Sequence, residues 1–317
     1  MSFFKKWYIY QKERFPILTF ALYIFCIVFA IFCVSNYFGK LNYESAIKGL
    51  IFDVATEPYK IDYYKLIPMF IVAFLQFLMI RIVDEFKDYE EDCKYRPYRP
   101  VPRGLITLKE LKILFIICVI LQFVITYIFE PIAIFPLLIV WVFFAIMSKG
   151  FFIKKFLDKH ILVEVALDEL LMPILVLYLS YFASYTIPIN SVNFHVNYLD
   201  IWIFLLMTYI VSWIVEVARK IRCKEDEEKG VKTYTAIFGI GGAIFILFIL
   251  ETLLMIIQAF ILGKQYLAII VVIYILVNII NVLFLKIKTK KTAKLVELSA
   301  NIYIIIAYLS LGLLIIQ

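Results

Sequence analysis

Nine apolar runs set the pattern of the chain: residues 15–37, 66–83, 111–129, 131–147, 161–182, 198–217, 236–262, 266–285 and 296–316. Each is close to the roughly 20 residues that a helix needs to cross about 30 Å of hydrocarbon. The third and fourth runs are divided only by Glu130 and Pro131, which predicts a tight helical hairpin. The segments between runs are polar and mostly short. The longest outer one, 38–65, mixes charges with aromatics such as Tyr59, Tyr63 and Tyr64 and predicts an amphipathic segment at the membrane surface. No Gly/Ser-rich or Pro-rich linker and no clean internal repeat interrupts the pattern, so residues 1–317 are expected to form one domain. The expected fold is all-α: a polytopic membrane bundle of nine transmembrane helices.

Composition agrees. At 64% hydrophobic and a mean hydropathy of +0.94, the chain carries more apolar side chain than a soluble domain of this length could hide. Charge then sets the orientation, because short loops rich in Lys and Arg stay on the cytoplasmic side. Residues 1–14, 84–112, 148–160, 218–234 and 286–294 carry four, seven, four, six and five of them; the alternating segments 38–65, 130, 183–197 and 263–265 carry four, none, none and one. Nine crossings with this alternation place the N-terminus and the charged loops in the cytoplasm and the C-terminus outside, in a plasma (inner) membrane. The net charge of +7 is then a topology and headgroup signal and implies no nucleic acid. The first fourteen residues have the charge layout of a signal peptide, but the apolar run that follows is too long and lacks a small-residue cleavage site, so it is kept as the first span. Five cysteines and two histidines show no metal-binding spacing and are expected to be free thiols and isolated rings.

Chemistry concentrates between the second and third runs, in DEFKDYEEDCKYRPYRPVPRG, residues 84–104. Asp84, Asp88 and Asp92 recur every four residues, so a helix continued through them lines three carboxylates along one face. Arg96, Arg99 and Arg103 follow at once, with Pro97, Pro100 and Pro102 turning the chain. A second mixed stretch, EVARKIRCKEDEEKGVKTY, opens at Glu216 on the same predicted side. Two such carboxylate clusters can each hold a Mg²⁺ whose shell is completed by diphosphate oxygens. The neighbouring Arg and Lys would neutralise a departing diphosphate.

These residues resemble the UbiA superfamily of intramembrane prenyltransferases, which has nine transmembrane helices and two aspartate-rich cytoplasmic motifs. The spacing of Asp84, Asp88 and Asp92 and the turn Arg99-Pro100-Val101-Pro102-Arg103-Gly104 match the first motif. Glu216, Lys220 and Asp226, followed by Gly230, Thr233, Phe238 and Gly239, resemble the second. Lys149 stands where the family often has a diphosphate-binding cation. The resemblance implies an enzyme: Mg²⁺-dependent transfer of a prenyl group from a prenyl diphosphate to a membrane-embedded acceptor. The implied metal ligands are Asp84, Asp88, Asp92, Glu216 and Asp226, and the implied substrate contacts are Arg96, Arg99, Lys149, Arg219 and Lys220. The chain also departs from the family. Asp84 replaces the usual Asn, Glu216 replaces an Asp, and Lys220 occupies a position expected to ligate metal. Two arrangements remain open: one metal with Lys220 on phosphate, or a second metal relying on Asp226.

Blander readings stand beside these. A charge run next to a span is commonly only a topology anchor, and Lys220 fits a UbiA-like protein that has lost its chemistry. Glu164, Asp168 and Glu169 open the fifth run and Glu251 lies inside the seventh, where charges are costly. Such residues also suit an ion-coupled transporter, although the paired inverted repeats of that class are not evident. Gly239, Gly241 and Gly242 lack the strand and the Lys of a nucleotide loop and are expected to serve close helix packing.

Overall fold

A computed structural model describes residues 2–48, 61–157, 159–183, 198–228 and 230–315. Residues 49–60 of the expected surface segment, and 184–197, lie outside it. Among the described residues the chain is helical throughout: α1 (Phe3–Arg14), α2 (Ile17–Lys48), α3 (Leu66–Lys87), α4 (Tyr89–Tyr95), α5 (Leu108–Phe129), α6 (Ile134–Ser148), α7 (Lys154–Leu157), α8 (Ile161–Asp168), α9 (Leu171–Ala183), α10 (Tyr198–Arg219), α11 (Tyr234–Leu262), α12 (Leu267–Ile287) and α13 (Lys290–Ile315). Eight stretches are long and apolar enough to cross a membrane: Ile17–Tyr37, Tyr63–Lys87, Leu108–Phe129, Pro131–Ser148, Ile201–Arg219, Tyr234–Leu262, Lys264–Ile287 and Lys290–Leu314. Large apolar side chains such as Leu18, Phe135, Trp202 and Phe245 point outward. Water would penalise that surface and lipid does not. The protein is an integral membrane protein.

The fifth apolar run differs from the single span expected of it. It forms two helices, α8 and α9, broken around Glu169 and Leu170. Pro173 supplies the reason: it has no N–H to give the carbonyl of Glu169 four residues back, which accepts instead from Met172 at 3.1 Å. Other boundaries follow the same local rules. Phe15 sits at φ −147°, ψ 71° because the residue before Pro16 is pushed out of the helical region, and this divides α1 from α2. Glu130 alone, with a short turn at Pro131–Ala133, joins α5 to α6 as the predicted hairpin.

The chain forms two compact units. The first comprises Met1–Phe152 and Leu177–Asn193, with α3 packed on both α2 and α5. Polar residues within its spans are paired: Gln122 donates to the carbonyl of Val72 at 2.9 Å and to Gln76 at 3.1 Å, and buried Lys65 meets Glu130 at 2.6 Å. The second comprises Ile153–Val176 and Phe194–Gln317, where α10 packs on α11 and α13, and α12 packs on α11 and α13. Within α11, Gly239 adopts φ 71°, ψ 167°, a conformation open essentially only to glycine. No atom lies within 4 Å of where a side chain would begin at Gly239 or Gly241. Backbone shape rather than the expected close packing explains Gly239.

Candidate active site

The first acidic stretch continues α3. Backbone N–H groups of Asp88, Asp92 and Arg96 donate to the carbonyls of Asp84, Asp88 and Asp92 at 2.9, 2.8 and 2.8 Å. Asp88, at φ −96°, ψ 1°, is the one-residue break between α3 and α4. The three carboxylates therefore follow a nearly continuous helical path, one turn apart.

Their surroundings differ sharply. Asp92 is buried, and its two oxygens accept from Nη1 of Arg99 at 2.9 and 2.7 Å, with Nη1 of Arg96 at 3.3 Å. Asp84 receives Nη1 of Arg81 at 3.3 Å. Asp88 is half-buried and has no ion-pair partner among the described residues. Burial, reinforced by the charges of Asp84 and Asp92, pushes its carboxyl up to about 6. A half-buried carboxylate of this kind, without an ion pair of its own, fits a cation. No three His, Cys, Asp or Glu among the described residues are grouped to hold a metal by themselves.

The turn after the carboxylates is pinned from below. Val101 and Ile106 join Tyr10 of α1, Ile82 of α3 and Leu111 of α5 in one buried cluster. Gly104 takes φ +75°, which turns the chain so that the N–H of Leu105 donates to the carbonyl of Pro100 at 2.8 Å. Thr107 and Glu110 then form a capping box that starts α5. From the side, α1 grips the same region. Arg14 donates to the buried Glu85 at 2.5 Å, Arg103 donates to Glu13 at 2.8 Å, and Lys6 pairs with Glu110. Arg81 links this clasp to the carboxylates, since its Nη2 lies 3.4 Å from Glu85 while its Nη1 faces Asp84. Lys149, also in the first unit, is exposed at the end of α6. The next three residues, Gly150, Phe151 and Phe152, all have positive φ (59°, 51° and 60°).

The second stretch follows a different logic. Glu216, buried at the end of α10, is gripped by two cations that follow it in the chain, Arg219 at 2.5 Å and Lys220 just past the helix end. Glu227 folds back as an acceptor for the hydroxyls of Thr233 (2.7 and 2.8 Å) and Thr235 (2.5 Å). Thr233 in turn caps α11 by accepting from the N–H of Ala236 at 3.0 Å. Asp226 pairs with Lys290, at the start of α13, at 2.7 Å. Glu169, at the break between α8 and α9, lies within electrostatic reach of Glu216 and Arg219.

The model of the UbiA prenyltransferase family matches residues 50–305, most of the chain. The chain belongs to the UbiA prenyltransferase family. It is a membrane prenyltransferase, which sets it with transferases rather than ion-coupled carriers. Two solved structures share the fold. A digeranylgeranylglyceryl phosphate synthase studied in membranes has a TM-score of 0.55 and 22% identity over 94% of this chain and 98% of its own. An apo UbiA homologue from Aeropyrum pernix K1 has a TM-score of 0.57 and 14% identity over 90% and 97%. No curated protein matches the chain in sequence.

Within this UbiA-family chain the predicted residues fall into separate environments. Asp84, Asp88, Asp92, Arg96 and Arg99 are neighbours in the first unit, and Glu216, Arg219 and Lys220 are neighbours in the second. Asp226 is tied to Lys290 and is not among the partners of Glu216. Sequence reasoning missed the clasp of Arg14, Glu85 and Arg81. Only the four-residue spacing of Arg81 and Glu85 hinted at it, because Arg14 lies 71 positions from Glu85. It missed Lys290 for the same reason.

Proposed function

We propose that this UbiA-family protein transfers a prenyl group from a prenyl diphosphate to a membrane-embedded acceptor with the help of Mg²⁺. Asp88 carries the reading: a half-buried carboxylate between two others, lacking an ion-pair partner among the described residues, one turn from Asp92, which holds Arg96 and Arg99. Asp84 and Asp88 are the primary candidate ligands, and Asp92 contributes by fixing Arg96 and Arg99 for the diphosphate. Glu216 and Asp226 remain the candidate ligands of the second stretch. There Glu216 presents Lys220 and Arg219, so that positive charge meets phosphate where a second carboxylate would be expected. Bound Mg²⁺ would shield the diphosphate and lower the barrier to its departure. The allylic carbon–oxygen bond breaks with both electrons leaving on diphosphate; the acceptor forms the new bond to that carbon and gives up a proton. Lys149 is proposed as a further diphosphate contact.

The family match spans residues 50–305 and so runs through both units, which supports treating them as parts of one catalytic domain. Lys and Arg bias supports a cytoplasmic face for both stretches, in the plasma membrane. The test uses full-length protein in lipid nanodiscs with prenyl diphosphates of several chain lengths. Pyrophosphate release should require Mg²⁺ and stop with EDTA. A folded protein that releases none with any chain length would overturn the reading.

A further inference from the structure

The second unit holds a polar cluster that neither acidic stretch uses. Glu251 lies near the middle of α11 and is fully buried. Its Oε2 accepts from Nδ2 of Asn281, on α12, at 2.8 Å. Among the described residues its Oε1 has no hydrogen-bond partner, and neither has Oδ1 of Asn281 or the hydroxyl of the buried Tyr303 on α13. Tyr303 is within electrostatic reach of Glu251. Asn278 completes the group: its Oδ1 faces Nδ2 of Asn281 at 3.3 Å, while its own amide donates to the carbonyl of Tyr274 at 3.0 Å. Among the described residues no Lys, Arg or His pairs with Glu251.

A Glu–Asn hydrogen bond can serve simply to join membrane helices. That role leaves no reason for three unsatisfied oxygens on three helices, each a cost when buried. A proton would neutralise the carboxyl, but its single O–H could serve only one further oxygen; a trapped water would meet some of the hydrogen-bonding need and leave an ionised carboxylate uncompensated at membrane depth. A divalent ion would reverse the charge. One monovalent cation matches both the single negative charge and the oxygen-only donor set, which suits a hard ion.

We propose that Glu251, Asn281 and Tyr303 form an intramembrane site for a monovalent cation, Na⁺, that joins α11, α12 and α13. The site is separate from the diphosphate chemistry, and its test reads stability, so failure of either proposal leaves the other standing. Full-length protein in nanodiscs is melted in NaCl, KCl or choline chloride at equal ionic strength and pH. Na⁺ should raise the melting temperature saturably, by about 3 °C or more, and K⁺ should do less. In Glu251→Gln the three salts should give the same melting temperature, with pyrophosphate release unchanged. Asn281→Ala should weaken the Na⁺ effect at least tenfold in concentration. Equal melting of the unaltered protein in all three salts would overturn the site, as would a melting temperature that follows pH but not Na⁺. An Na⁺ shift surviving in Glu251→Gln would also overturn it. If that variant does not fold, the unaltered protein and Asn281→Ala decide alone.

Discussion

The two acidic stretches solve opposite electrostatic problems. In the first, Asp88 has no ion pair among the described residues, and burial with Asp84 and Asp92 raises the cost of its charge by more than the nearby Lys87 relieves. In the second, Glu216 is held by Arg219 and Lys220, three and four residues on. A carboxylate with no partner invites an external cation; one with two partners arranges those partners for an external anion. The same residue type, in two settings, is therefore suited to metal in one case and to phosphate in the other.

The sharpest test of this contrast is Asp88→Asn. Pyrophosphate release should fall by about 10²-fold or more, while the metal-free protein becomes more stable at pH 7.5. The sign follows from the raised carboxyl. Between the ordinary carboxylate value near 3.8 and about 6, the folded state binds more protons than the unfolded state, so stability drops as pH rises through that window. Above it the ionised side chain is a standing cost that Asn removes. The gain should vanish below about pH 4, where both states are protonated. A melting temperature that does not rise at pH 7.5 would contradict this account of Asp88.

Next in size is Asp92→Ala. It leaves Arg96 and Arg99 without their buried acceptor and should cost about 3–5 kcal/mol, read as a lowered denaturation midpoint. Lys220→Ala should raise KM for the prenyl diphosphate about tenfold, or about 1.4 kcal/mol, and leave the Mg²⁺ requirement unchanged. A shifted Mg²⁺ requirement would instead move the second stretch toward metal binding. The smallest effect is expected of Lys290→Ala. Its ion pair with Asp226 is exposed on the lysine side, so stability should change by less than about 1 kcal/mol.

Much of this was legible in advance because it rests on short-range rules. The four-residue period of Asp84, Asp88 and Asp92 needed only a helix to become a ladder, and eight of the nine runs picked out by apolar length coincide with helices long enough to span. The break at Glu169 was masked because hydropathy averages over Pro173 and the carboxylates before it. The role of Asp92 as an arginine clamp was hidden for another reason: spacing says which residues share a face, and not which partners reach them. The contacts of Arg14 with Glu85 and of Lys290 with Asp226 join residues 71 and 64 positions apart, and no local pattern announces them.

The clasp around α1 bears on how the chain matures. Its partners Glu85, Arg103 and Glu110 leave the ribosome long after Phe3–Arg14 has done so. Until then that segment has only the bilayer surface to rest on, with Phe4 and Tyr8 on its outward side. Docking must wait until the chain has been made through Glu110, so α1 takes its place only after the segments that follow it have emerged.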